Sequence, residues 1–88
     1  MNNEQYLVKL QEHMTLKGNS LKTIYIYTQT VKQFFRFIKK PAHEITTQDA
    51  KDYLLHQVKH GLDPSTINSK HSMILIFFRE VMEKPEIM

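Results

Sequence analysis

Apolar residues recur along this chain in four blocks at spacings of three and four, the period of a helix with one buried face. In the first block Tyr6, Leu7, Leu10 and Met14 share a face over Asn3–Leu16, Glu4 sits in the first turn where the helix dipole favours an acid, and Gly18 ends the run. In the second, Ser20 is a good N-cap for a stripe of Leu21, Ile24, Tyr27, Thr28, Val31, Phe34, Phe35 and Ile38; Lys39 and Lys40 fall in its last turn and Pro41 stops it. Thr46 followed by Asp49 reads as a capping box for a third stripe of Ala50, Tyr53, Leu54 and Val58, which Gly61 closes. Asp63 caps a fourth helix with Pro64 at its first position; its core face is Ile67, His71, Ile74, Leu75, Phe78 and Met82, and Pro85 marks the end of order. No segment alternates apolar and polar residues as a strand does, and both glycines fall at helix ends. The pattern predicts an all-α fold, a compact bundle of four helices whose short joints favour neighbours packed antiparallel or at steep angles.

Eighty-eight residues support one core but not a core plus a large catalytic cleft. With no cysteine, disulfides and thiolate metal sites are excluded. No apolar run approaches the roughly 20 residues of a membrane span. A cytoplasmic protein with no membrane association is the expectation.

Charge changes the picture more by its distribution than by its total of +3. Between His13 and His43 there is no acid, yet Lys17, Lys22, Lys32, Arg36, Lys39 and Lys40 lie there. A second acid-free stretch, Pro64 to Arg79, holds Lys70 among small hydroxyl and amide side chains. Segregated cations at a pI near 9.2 point to a polyanion, because they can replace the counterions condensed on nucleic-acid phosphates. By helical periodicity Lys22, Gln29, Gln33 and Arg36 form one solvated ridge on the second helix, while Ser65, Ser69 and Ser72 lie opposite Ile67 on the fourth. Small polar side chains at a helix start permit close approach to a duplex, and free amides there can bind phosphate. Lys17, Asn19, Lys22 and Thr23 at one helix start, with Ser65, Thr66, Ser69 and Lys70 at the other, are the candidate DNA contacts, and the two starts suggest a clamp on phosphates.

Signals for catalysis are poor. His56 and His60 lie one turn apart but lack the intervening glutamate of a zincin helix, so no metal and no cofactor is expected. His71, on an apolar face, reads as a partly buried histidine with a hydrogen-bond partner. Tyr6, Tyr25, Tyr27 and Tyr53 read as core edges rather than nucleophiles. No catalytic residue is assigned, and this chain alone is not expected to be an enzyme.

The run Ser20-Leu-Lys-Thr23 with Tyr27, Val31, Phe34 and Ile38 resembles the second helix of the N-terminal core-binding, SAM-like domain of tyrosine recombinases, the phage integrase family. Ile45-Thr-Thr-Gln-Asp-Ala50 with Tyr53 and Leu54 is similar to the third helix of that domain, and Gly61-Leu-Asp-Pro-Ser-Thr66-Ile-Asn with Ile74, Phe77 and Phe78 to its last. The resemblance implies a domain over residues 1–84 that grips one face of a recombination-site duplex through its second and fourth helices. Residues 85–88 would begin a linker to a C-terminal catalytic domain carrying the tyrosine nucleophile and its cationic partners, and the full protein would oligomerise on DNA. Two departures stand out: His71 where an aliphatic residue is usual, and Leu75 where a basic one is common. Two rivals are a helical protein-interaction module using Ile26, Met73 and Ile76, and a stand-alone DNA-binding regulator, against which stands the lack of a short turn joining two helices as in a helix-turn-helix.

Overall fold

The computed structural model describes residues 3–82. Four helices follow one another, α1 (Asn3–Leu16), α2 (Leu21–Ile38), α3 (Thr47–Lys59) and α4 (Pro64–Ile76), with a 3-10 turn at Ala42–Glu44 and a π turn at Phe77–Val81 that prolongs α4. There is no strand among the described residues, and the all-α reading holds.

Local chemistry sets the ends. Ser20, Thr46 and Asp63 all have extended backbone and accept from the amide three residues on, which satisfies an otherwise orphaned donor in each first turn. Thr46 and Asp49 complete a reciprocal capping box. Helix α1 closes in a Schellman motif: Gly18 takes φ +81°, its N–H donates to the Thr15 carbonyl, and the Asn19 N–H donates to that of Met14. Lys39, in contrast, adopts φ 58° just beyond α2 without a glycine's freedom. Lys39 and Lys40 therefore lie past the last turn rather than inside it. Lys40 instead pairs with Asp49 at 3.1 Å, joining the two sides of the α2–α3 connection.

The core is aromatic at its centre. Phe34, Phe77 and Phe78 are fully buried, and Phe34 meets Tyr53 and Phe78 edge to face at centroid distances of 5.1 and 6.0 Å. Leu10 and Met14 of α1, Val31 and Phe35 of α2, Ala50 of α3 and Ile74 of α4 surround them, and Ala42 and Ile45 plug the joint before α3. Thr28 and Thr30 are buried without orphaned hydroxyls, because each donates to the carbonyl four residues back.

Three expectations fail here. Leu21 is 86% exposed, since the first turn of α2 projects beyond its neighbours. Val58 is exposed, because at the end of α3 it is His56 that packs against Phe37 of α2, and Val58, two residues on, lies on nearly the opposite side of the helix. Phe77, absent from the expected stripe of the fourth helix, is completely buried; it lies three residues beyond Ile74 with its N–H still bonded to the Met73 and Ile74 carbonyls, so it continues that buried face before the π turn, closed by the Met82 N–H to Phe77 carbonyl bond at 3.1 Å, begins. Pro85, expected to end order, lies outside the described residues.

One long-range clip closes the arrangement. The Asn3 side chain donates to the Lys40 carbonyl at 3.0 Å and accepts from the Ala42 amide at 2.8 Å. The start of α1 is thereby tied to the α2–α3 joint.

Candidate nucleic-acid interface

Helix α2 packs its apolar stripe inward and so must present the opposite face to solvent. On that face Lys22, Tyr25, Lys32, Gln33 and Arg36 are exposed and Gln29 partly so, at the three- and four-residue spacing of a continuous ridge. Lys22, Lys32 and Arg36 enter no ion pair among the described residues. Tyr25, 65% exposed in the middle of these cations, is a solvent-facing ring rather than a core edge. The signal for it was present in the sequence: Tyr25 lies three residues after Lys22 and four before Gln29.

Helices α2 and α4 run antiparallel. The Lys70 ammonium donates to the Gln33 side-chain carbonyl at 3.3 Å, while six residues earlier on α2 and six later on α4 Tyr27 and Ile76 line one cavity. The ridge of α2 is therefore continuous with the Lys70 edge of α4, beside which Ser65, Thr66, Ser69 and Ser72 are exposed. The same antiparallel packing puts the two helix starts at opposite ends of the pair. They are two separate candidate points, apart by about the 27 Å length of an 18-residue helix.

The expected contacts at those starts differ in availability. At the α2 start Lys22 is open, but Lys17 is held by Glu80 at 2.5 Å and the Asn19 amide donates to the Met14 carbonyl. Thr23 is half-buried, its hydroxyl accepting from Ser20 and its N–H donating to the same Ser20 oxygen. At the α4 start the Thr66 N–H is taken by the Asp63 carboxylate at 2.7 Å, and that hydrogen bond holds Asp63 below its usual range, hence ionised. A carboxylate beside Ser65 and Thr66 opposes a phosphate there, so this end offers hydroxyls rather than a bare amide site. Ser69 and Lys70, farther along α4, are clear of it.

A cavity of about 180 Å³ opens where α1 ends and α2 begins, lined by His13, Lys17, Asn19, Tyr27, Ile76 and Glu80. Within it the His13 Nε2 lies 3.5 Å from the second Glu80 oxygen. The bond from Lys17, with a contribution from His13, holds the Glu80 carboxyl below its usual range.

Other candidate features give less. The His56 and His60 rings sit 4.1 Å apart with His56 also against Phe37, but among the described residues no group of three or more potential ligands could hold a metal. The His71 Nε2 is enclosed and has no partner, contrary to the expected hydrogen bond. Of the apolar residues expected outside the core, Ile26 is 41% exposed while Met73 and Ile76 are half-buried, so they do not form an open docking face. No helix among the described residues is long and apolar enough to cross a membrane.

Residues 6–86 match the family model described as the N-terminal SAM-like domain of phage integrase. No curated protein and no solved structure matches the chain significantly. The match spans the four capped helices in the order their residues dictate, and the chain belongs to the phage integrase N-terminal SAM-like domain family.

Proposed function

We propose that this domain binds double-stranded DNA as the non-catalytic arm of a tyrosine site-specific recombinase, gripping the recombination-site duplex through α2 and α4 while a C-terminal domain performs cleavage. The observation that carries the reading is the acid-free ridge of Lys22, Tyr25, Lys32, Gln33 and Arg36, extended onto α4 by the Lys70–Gln33 bond. Cations on one continuous surface can meet successive phosphates, and an exposed tyrosine among them can lie against the sugar-phosphate backbone. Lys17, Asn19 and Thr23 extend the surface at one end and Ser65, Thr66 and Ser69 at the other. Residues 1–84 form the DNA-binding unit in this reading, and residues 85–88 lead toward the catalytic domain, which is also the domain's intramolecular partner.

Five cations, Lys17, Lys22, Lys32, Arg36 and Lys70, limit the electrostatic term. At about 0.9 per phosphate contact, the logarithmic slope of affinity against salt should be no steeper than about 4.5. Titration of a fluorescent duplex at several salt concentrations tests this, and affinity indifferent to salt would contradict it. The chain alone should form no covalent adduct with supercoiled plasmid, since phosphoryl transfer needs several cations converging on a positioned nucleophile and the two arginines, Arg36 and Arg79, lie on separate elements.

A further inference from the structure

We propose that Glu80 is an internal stand-in for a DNA phosphate: in the free domain its carboxylate occupies Lys17, and duplex binding displaces it. The inference rests on the DNA-binding reading and assigns a competitor within that site.

Glu80 is the single acid between Pro64 and Val81. It projects from the π turn across to the end of α1, 63 residues away in sequence, and meets Lys17 through one oxygen and approaches His13 through the other. One carboxylate oxygen takes the Lys17 ammonium as a phosphate oxygen would, and the other faces the His13 Nε2, which has no hydrogen-bond partner among the described residues. The cavity around it is lined also by Asn19, at the start of α2, three residues before Lys22. Its remaining lining is Tyr27 and the apolar Met14 and Ile76, so among the described residues Glu80 is the only anion facing Lys17 there.

The exchange is energetically accessible. The Lys17 and Glu80 side chains are about half and one-third exposed, and solvent-exposed pairs of this kind are weak because water screens them. A phosphate with its dense surrounding charge can replace one carboxylate. Releasing Glu80 nevertheless leaves an anion close to the duplex. Wild-type affinity is thus held below what the cations alone would give, a property suited to an arm that must release its site after recombination.

The test is a titration of the same fluorescent duplex by wild type, Glu80→Gln, Asp52→Asn, Lys17→Ala and the Lys17→Ala/Glu80→Gln pair, with circular dichroism confirming the helical fold of each. Asp52 lies on α3, away from this cavity, and its substitution changes the net charge by the same amount. The expected result is two- to tenfold tighter binding by Glu80→Gln, a smaller change with Asp52→Asn, and no gain from Glu80→Gln once Lys17 is gone. Binding by Glu80→Gln no tighter than by Asp52→Asn, or a gain that survives loss of Lys17, overturns the inference while wild-type binding keeps the functional reading. Absence of binding by every variant overturns both.

Discussion

Helix α2 has two faces that share a backbone and little else. One carries Ile24, Val31, Phe34 and Phe35 into the core; the other carries Lys22, Tyr25, Lys32 and Arg36 into solvent. The inner face is crowded with aromatic contacts from α3 and the π turn, whereas the outer face touches the rest of the molecule through Gln33 and Lys70. The difference teaches that the residues holding the core and the residues proposed to meet DNA sit on separate sides of one helix. Each is then open to substitution without the other.

The largest effect should come from the inner face. Phe34→Ala removes a ring with no solvent exposure and leaves Tyr53 and Phe78 facing a void, at a cost of about 3–5 kcal/mol. A shift in the denaturant midpoint measures it; a loss under about 1 kcal/mol would mean the core relaxes around the gap. The outer face supplies the complement. Lys22→Ala with Arg36→Ala should weaken duplex binding about tenfold, or about 1.4 kcal/mol, with an unchanged thermal midpoint. Lys51→Ala, on α3, should alter neither quantity. If Lys51 matters as much as the ridge, the two faces of α2 do not divide the work.

Next in size is the cap of α3, which belongs to neither face. Thr46→Ala deletes the acceptor for the Asp49 N–H and should cost about 1 kcal/mol by thermal melting, with DNA affinity untouched. The smallest effect is acid sensitivity. Burial works against ionisation of Asp49, but hydrogen bonds from Thr46 and Lys40 outweigh it, and Lys17 does the same for Glu80, so both carboxyls titrate below their ordinary values. A depressed folded pKa stabilises fully above the unfolded value of about 4 and is lost as pH falls through the folded one. The thermal midpoint should therefore decline between about pH 5 and 3, and Asp49→Asn with Glu80→Gln should flatten that decline.

Much of this fold was legible because its boundaries are chemical. Ser20, Thr46, Asp63, Gly18 and Gly61 each do locally what their residue types do in isolation, so the helix ends needed no tertiary knowledge. What failed was tertiary. Periodicity cannot tell that the first turn of α2 projects past its neighbours and strands Leu21, or that the adjacent rings of Phe77 and Phe78 are both buried because α1, α2 and α3 enclose that end of α4 from several sides. The candidate surface was half legible for the same reason. Helical periodicity puts Lys22, Gln29, Gln33 and Arg36 on one side of α2 but leaves out Tyr25 and Lys32, and the engagement of Lys17 by Glu80 and of Lys70 by Gln33 depends on which elements meet. Tyr25 was misassigned because an aromatic on an amphipathic helix is counted toward the core by default.

The Asn3 clip bears on how the molecule assembles over time. Most helices here pack against sequence neighbours, a topology of low contact order that favours rapid folding. Asn3 instead reaches 37 and 39 residues ahead, a span whose closure costs chain entropy before the contact is gained. We expect a contact of this span to form after the folding transition state. Asn3→Ala should then leave the folding rate unchanged and speed unfolding, which the two arms of a stopped-flow denaturant series would show. On that expectation one amide side chain near the start of α1 is a brake on opening, setting how long the bundle stays closed rather than how quickly it forms.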